Sequence, residues 1–96
     1  MNDLKYLIFI PKGCDAISSR AIVFNGVVTH VVIKIALEAE GHKVVSGGFC
    51  SVRRITVWGE SVSIRNLCGV TCESRPQDVE IIRNTLSEMP GPLMPK

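Results

Sequence analysis

The sequence has no apolar run long enough to cross a membrane. Its longest apolar stretch, residues 31–37, contains Lys34, whereas a membrane-spanning helix needs about 18 predominantly apolar residues. The apolar run Tyr6–Ile10 is shorter than the roughly seven-residue core of a secretory signal, and no small-residue cleavage site follows it. We therefore expect a cytoplasmic protein without membrane association, in which the four cysteines stay reduced.

A strong charge of one sign and a rich supply of aromatic residues are also lacking. Eleven basic and nine acidic side chains give a net charge of only +2, which argues against a dedicated nucleic-acid binder. One tryptophan, one tyrosine and three phenylalanines barely supply a core. The chain has no glycine-rich phosphate loop, paired Glu/His metalloprotease motif or serine nucleophile elbow. We predict no catalytic residue and no cofactor.

The cysteines do not have the spacing of a zinc site. Cys68 and Cys72 form one loose pair, and Cys14 and Cys50 stand alone. A structural zinc site needs four ligands and usually shows two tight pairs. We therefore predict no metal site, and regard Cys50 and one of the loop cysteines as small buried residues.

The length of 96 residues and the apolar content of 46% fit one small globular domain. We assign residues 1–89 to that domain and residues 90–96 to a C-terminal tail, because Pro90-Gly91-Pro92 ends the last predicted helix.

The first half of the chain predicts two strands and a helix. Leu4–Ile10 is apolar at both parities, which is typical of a central strand covered on both faces. Ala21–Phe24 is a short β-branched run before Asn25-Gly26, so residues 27–33 have a returning strand as one alternative. We favour a helix over residues 28–40, which ends at Gly41. Its predicted core stripe is Val28, Val31, Val32, Ile35, Ala36 and Ala39.

The middle of the chain predicts a hairpin of Lys43–Val52 with Ile55–Ile64, bent at Arg53-Arg54. This register sets Phe49 opposite Trp58, an aromatic pair that stabilises adjacent strands. It also sets Gly48 opposite Gly59 and Ser46 opposite Ser61. Gly59 is a candidate bulge, because the apolar parity changes there.

The last element is a helix of about residues 77–89. Ser74 and Gln77 have the spacing of a capping box, and Ser74→Ala is then expected to cost about 1 kcal/mol. The core stripe is Val79, Ile82, Leu86 and Met89. The elements together predict an α+β fold: a two-layer sandwich of two helices on a three- to four-stranded, mainly antiparallel sheet.

Two groups of residues are candidates for binding. Glycines within strands cost stability, so Gly47, Gly48 and Gly59 point either to a close ligand or to close packing of another element. A ligand pocket there would use His30, Ser46, Trp58, Glu60 and Ser61. Alternatively, a patch of Arg53, Arg54 and Arg65 beside exposed aromatic rings would bind single-stranded nucleic acid weakly.

Three short motifs resemble small bacterial proteins encoded on phages and mobile gene cassettes. They are Ser46-Gly47-Gly48-Phe49, Gly59-Glu60-Ser61-Val62-Ser63-Ile64 and Ser74-Arg75-Pro76-Gln77-Asp78. The resemblance covers less than half of the chain. It implies a gene on a mobile genetic element and implies no activity, because such proteins mostly have none assigned.

These observations favour a non-enzymatic interaction module that forms a homodimer. A two-layer domain leaves one sheet face bare, and a two-fold dimer would bury about 800 Å² per chain along that face, including Trp58. The alternatives are a small ligand-binding or catalytic domain, with the pocket named above, and weak nucleic-acid binding through the arginines.

Overall fold

The computed structural model describes residues 4–88. They form a four-stranded antiparallel sheet in the order β2-β1-β3-β4, together with three α-helices. The strands are β1 (Leu4–Ile10), β2 (Arg20–Asn25), β3 (Lys43–Ser51) and β4 (Thr56–Trp58), and the helices are α1 (His30–Ala39), α2 (Val62–Cys68) and α3 (Asp78–Ser87). The predicted α+β class with an antiparallel sheet is confirmed.

β1 is a central strand, as its sequence predicts. Three consecutive residues, Tyr6, Leu7 and Ile8, are fully buried. Successive side chains of a strand point to opposite faces, so burial at both parities requires both faces of the sheet to be covered.

The helices supply that cover from both sides. On one face, Ile82 of α3 packs with Tyr6 and Ile8. On the other, Val31 of α1 and Ile64 of α2 pack with Leu7. The sheet therefore lies between two helical layers, whereas the sequence predicted two helices in a single layer. The additional helix is α2, whose first three residues, 62–64, the hairpin prediction assigned to a strand.

α1 is helical, so the strand alternative for residues 27–33 is excluded. The predicted core stripe is nevertheless wrong for most of its members. Val32 and Ile35 are exposed, as are Ala36 and Ala39, and the helix faces the sheet through His30, Val31, Ile33 and Leu37. Apolar residues occur on every side of this helix, so their period alone could not identify the buried side.

The β3–β4 hairpin has the predicted register over a shorter length. Phe49 pairs with Trp58, and residues 52–55, which include Arg53 and Arg54, form the turn. The strand ends at Trp58 because Gly59 has a φ of 76°, a conformation that glycine adopts at little cost. The change of apolar parity at Gly59 therefore marks the end of a strand rather than a bulge within one.

α2 begins where the sequence predicted the second half of that strand. Ser61 is its N-cap, and the Ser61 Oγ accepts a hydrogen bond from the Ile64 amide at 3.1 Å. The predicted pairing of Ser46 with Ser61 is consequently absent from the hairpin, whose ladder joins residues 49–51 to residues 56–58.

The predicted Ser74–Gln77 capping box is also wrong. Gln77 is the N-cap of α3 and makes no side-chain capping bond. A comparable reciprocal pair forms one residue later: the Asp78 amide donates to the Arg75 carbonyl at 2.9 Å, and the Asp78 carboxylate accepts from the Arg75 amide at 3.0 Å. Ser74 instead donates its amide to the Gly59 carbonyl at 2.9 Å. The Ser74 amide is thus already paired with Gly59, and the Asp78 carboxylate makes a charge-assisted bond that is stronger than one between neutral groups.

The predicted stripe on α3 is confirmed where the structure describes it, since Ile82 is buried and Val79 and Leu86 are half-buried. Met89 and the predicted helix end at residues 90–92 lie outside the described residues. Within residues 4–88, no helix has the length and apolar character to cross a membrane.

The two serines supply a matched test of capping. We expect Ser61→Ala to lower the free energy of unfolding by about 1 kcal/mol, because the buried Ile64 amide loses its acceptor. Ser74→Ala should change it by less than about 0.5 kcal/mol, since that hydroxyl caps no helix. Urea denaturation of both variants measures the difference. Equal losses would show that the capping assignment is wrong.

Candidate functional site

The most densely connected polar site surrounds Asp78, the first residue of α3. Asp78 has no solvent exposure, and its carboxylate accepts hydrogen bonds from three residues. The Tyr6 hydroxyl donates to Oδ2 at 2.6 Å, and the Ser46 hydroxyl lies 2.9 Å from Oδ2 and 3.0 Å from Oδ1. Arg75 donates its amide and its Nε, at 3.0 and 2.9 Å. The site joins β1, β3 and the start of α3.

The electrostatics of this cluster favour a structural role. Burial, followed by the hydrogen bond to Asp78 and its negative charge, raises the pKa of Tyr6 far above its usual value. Tyr6 therefore stays a neutral donor. Arg75 Nη2 lies 2.9 Å from Asp78 Oδ1 and balances its charge. Because donors already occupy both carboxylate oxygens, Asp78 is poorly placed to accept a proton from a substrate.

Removing the Asp78 charge should destabilise the fold strongly. We expect Asp78→Asn to lower the free energy of unfolding by about 3 kcal/mol. The amide NH₂ that replaces one carboxylate oxygen cannot accept a hydrogen bond, so a donor of Tyr6, Ser46 or Arg75 loses its acceptor. The control is Glu80→Gln in the same helix turn, whose exposed ion pair with Arg83 should contribute less than about 1 kcal/mol. Urea unfolding measures both. A loss in Asp78→Asn no larger than that of the control would contradict the role assigned to Asp78.

A second candidate site lies on the other face of the sheet, under the start of α1. Lys5 pairs with Phe24 and with Phe49, and Phe49 pairs with Trp58. Directly paired residues point to the same face, so these four side chains form a row across all four strands. His30 lies against the row, with its ring centroid 5.6 Å from Phe24 and 5.8 Å from Phe49 in edge-to-face geometry.

His30 is buried and hydrogen-bonded. Its Nε2 lies 2.8 Å from the Gly48 carbonyl oxygen, which can only accept, so Nε2 carries the hydrogen. Burial lowers the pKa of His30 below 6.5; the Gly48 bond opposes this shift and the Lys5 charge adds to it. Lys5 is itself held by a 2.9 Å bond to the Val28 carbonyl. His30 is therefore a neutral ring that fastens α1 to β3.

The lowered pKa of His30 makes stability depend on pH. The unfolded chain takes up a proton on His30 below about pH 6.5, whereas the folded chain resists it, so stability present above this pH is lost as the pH falls. We expect the free energy of unfolding of His30→Gln to decrease less than that of the wild type between neutral pH and about pH 5. Parallel decreases would exclude His30 as the source.

The five residues predicted to line a pocket are divided among different sites. Trp58 belongs to the row of four side chains, and His30 lies against that row. Phe49 lies between them: its ring centroid is 5.8 Å from that of His30 and 6.4 Å from that of Trp58, on which it stacks. Ser46 belongs to the Asp78 cluster on the opposite face. The glycines beside Ser46 reflect close packing: a Cβ at Gly48 would lie 2.6 Å from the Trp58 carbonyl oxygen.

The other two residues serve the start of α2. The Ser61 side chain caps the helix. Glu60 Oε2 lies 2.7 Å from Arg65 Nη1, close enough for an ion pair although the N–H does not point along a hydrogen bond. The contact holds α2 against the segment that precedes it. In that segment the backbone of Glu60 forms an isolated antiparallel β-bridge with Glu73.

The predicted arginine group is likewise divided. Arg65 is on α2 and is paired with Glu60. Arg53 and Arg54 are exposed in the β3–β4 turn, and neither makes an ion pair with the part of the chain that the structure describes. Trp58 projects to the α1 face, whereas Ile55 and Val57 beside this turn pack on the α3 face.

The cysteines are dispersed in the same way. Cys50 and Cys72 are buried on opposite faces of the sheet, whereas Cys14 and Cys68 are exposed. Burial raises the pKa of both Cys50 and Cys72 to about 11, so neither is a thiolate at neutral pH. Among residues 4–88, no three histidine, cysteine, aspartate or glutamate side chains meet in metal-binding geometry.

Two grooves lie beside α3, away from all five predicted residues. One, of about 390 Å³, runs between β2 and α3. The other, of about 650 Å³, lies between the C-terminal half of α3, the ends of β1 and β2, and the β3–β4 turn. Comparison of the chain with protein-family models, curated proteins and solved structures gave no match.

Sequence reasoning did not identify the partners of Ser46. Tyr6 and Asp78 are 72 residues apart and meet only through folding. The available local signal is the Arg75–Asp78 spacing at the start of the last predicted helix.

Proposed function

We propose that the protein is a non-enzymatic interaction module that forms a homodimer. The observation that carries this proposal is the composition of the solvent-facing side of α1. Of its five exposed positions, four are apolar: Val32, Ile35, Ala36 and Ala39. Val32 is 55% exposed and Ile35 is 62% exposed. A helix that is apolar on all sides is normally buried on all sides, so this surface favours a partner.

The neighbouring helix also exposes apolar residues. α2 packs beside α1 in one layer, and the Val31 amide donates to the Ser63 hydroxyl at 3.2 Å. Val62 and Leu67 of α2 are 51% and 73% exposed. We call Val32, Ile35, Val62 and Leu67 the apolar layer. Isolated exposed apolar residues are ordinary, but several on two packed helices favour an interface.

The charges around the apolar layer suit a second copy of the same chain. Lys34 and Glu38 of α1 are 2.6 Å apart, and Arg65 of α2 is paired with Glu60. In a two-fold dimer each surface meets itself, so an unbalanced charge would face its own like charge. Pairing within each chain removes that repulsion.

The buried titratable groups support the non-enzymatic part of the proposal. Asp78 is surrounded by donors, the His30 Nε2 is bonded to the backbone, and Cys50 and Cys72 are protonated thiols at neutral pH. Each group has a structural explanation. No pair of them forms the nucleophile and base that covalent catalysis requires in the described residues.

The dimer contact differs from the one that the sequence suggested. In the described residues helices pack on both faces of the sheet, so neither face is bare as a whole. We place the contact on the apolar layer. Trp58 projects toward the same side of the sheet and is 42% exposed, so we include it in the proposed contact.

Two further parts of the proposal concern the kind of gene that encodes the protein and the cellular compartment in which it is found. The motif resemblance favours a gene on a mobile genetic element. The four free cysteines favour a reducing compartment such as the cytoplasm.

Charge placed in the apolar layer should dissociate the dimer. We expect Ile35→Lys to raise the dimer dissociation constant at least about tenfold. The two-fold axis would bring the new lysines of the two chains close together, and their charges would repel. Trp58→Glu should weaken the dimer and also lower stability, since Trp58 stacks on Phe49. Sedimentation velocity over a concentration series measures both effects.

The matched control is Ile17→Lys, which introduces the same charge at a 95% exposed isoleucine outside the apolar layer. It should leave the dimer dissociation constant unchanged. A wild-type protein that stays monomeric up to millimolar concentration would exclude the dimer. Equal dissociation by Ile17→Lys and Ile35→Lys would exclude the apolar layer as the interface.

A further inference from the structure

At the larger groove beside α3, helices of the described residues leave part of the α3 face of the sheet uncovered. Its floor is formed by Leu4, Val23, Ile55 and Leu86, which pack at the margin of the core. α3 begins at the Asp78 cluster and lies along β2, where the Ala21 amide donates to the Thr85 hydroxyl at 3.0 Å. Residues 4–88 leave the corner near the β3–β4 turn open. A volume of about 650 Å³ is in the range of sites that hold a small ligand or a few side chains.

One arginine lines this apolar floor and two more lie in the turn beside it. Val52 and Ile55 line the groove at the two ends of the β3–β4 turn, and Arg53 and Arg54 lie between them in sequence. No carboxylate of the described residues pairs with either arginine. Arg83 also lines the groove, and its pair with Glu80 is exposed. An apolar surface beside unpaired arginines is complementary to apolar groups flanked by carboxylates.

We propose that this groove binds a short segment of a partner protein in which apolar residues are flanked by aspartate or glutamate. The apolar side chains of the segment contact Val23, Ile55 and Leu86. Its carboxylates pair with Arg53 and Arg54. This inference does not depend on the homodimer, because the groove and the apolar layer lie on opposite sides of the sheet.

The lining favours a peptide over single-stranded nucleic acid. Nucleic-acid bases bind by stacking on exposed aromatic rings. Phe24 is the single aromatic residue among those lining the groove. Trp58 and Phe49, which the nucleic-acid alternative requires beside the arginines, belong to the row on the α1 face. Aliphatic side chains beside arginines match leucine or isoleucine and carboxylates better than bases.

A random peptide library displayed on phage, selected against the immobilised full chain, supplies the probe. We expect the selected peptides to combine apolar and acidic residues. A fluorescent synthetic copy of the commonest one should bind at least about tenfold more weakly to Val52→Glu and to the double variant Arg53→Glu/Arg54→Glu. Val52 is 40% exposed in a turn, so Val52→Glu should fold. Binding should weaken with added salt.

Matched controls separate a specific effect from a general one. Lys43→Glu reverses an exposed cation at the other end of β3, and Val27→Glu charges an exposed valine outside the groove. Both should bind the peptide within about twofold of the wild type. The Ile35→Lys variant should also bind it, which keeps this test independent of the dimer.

Three outcomes would overturn the proposal. The first is selection of peptides without acidic residues, and the second is binding of the peptide to the groove variants as tightly as to the controls. The third is tighter binding of a short oligothymidylate than of any selected peptide, with that binding lost in the double arginine variant but kept in Val52→Glu. This result would show that the arginines bind nucleic acid.

Discussion

The fold depends most on the hydrogen bonds to one buried carboxylate. Asp78 accepts from Tyr6 of β1, from Ser46 of β3 and from Arg75, and so fixes where α3 begins on the sheet. A carboxylate without solvent exposure is stable only when it is paired and fully hydrogen-bonded, so these donors and Asp78 depend on one another. The position of α3 then determines which part of that sheet face is covered and which part remains as a groove.

The opposite face is organised by a weaker but analogous contact. His30 bonds the Gly48 carbonyl and packs edge-on against Phe24 and Phe49. This contact fixes the rotation of α1 about its axis. With His30, Val31, Ile33 and Leu37 turned inward, Val32 and Ile35 must face solvent. The exposed apolar layer is thus a consequence of the side of α1 that the histidine selects.

These two contacts account for most of the buried polar side chains among the described residues. The side chains that sequence inspection associates with chemistry are histidine, aspartate, serine and cysteine. In this fold His30, Asp78, Ser46 and Ser61 hold helices to strands or cap a helix, and Cys50 and Cys72 are buried. The apolar layer and the larger groove beside α3 are both accessible surfaces with mainly apolar side chains, and they differ in the charged residues near them. The ion pairs Lys34–Glu38 and Arg65–Glu60 lie on the helices of the apolar layer. The groove is lined by Arg83, and the turn beside it carries Arg53 and Arg54, which pair with no carboxylate of the described residues.

The sequence alone determined the features that depend on neighbouring residues. The two-sided apolar pattern of Leu4–Ile10 predicted a central strand, the Phe49–Trp58 register followed from the turn at Arg53-Arg54, and helices were correctly expected near residues 28–40 and 77–89. Tertiary structure decided what depends on distant contacts: α2 in place of a strand, the inward side of α1, and the separation of Ser46 from Trp58. Alternation and helical period identify apolar positions without saying which neighbour covers them. In a chain with apolar residues on every side of α1, only packing against the sheet selects the buried side.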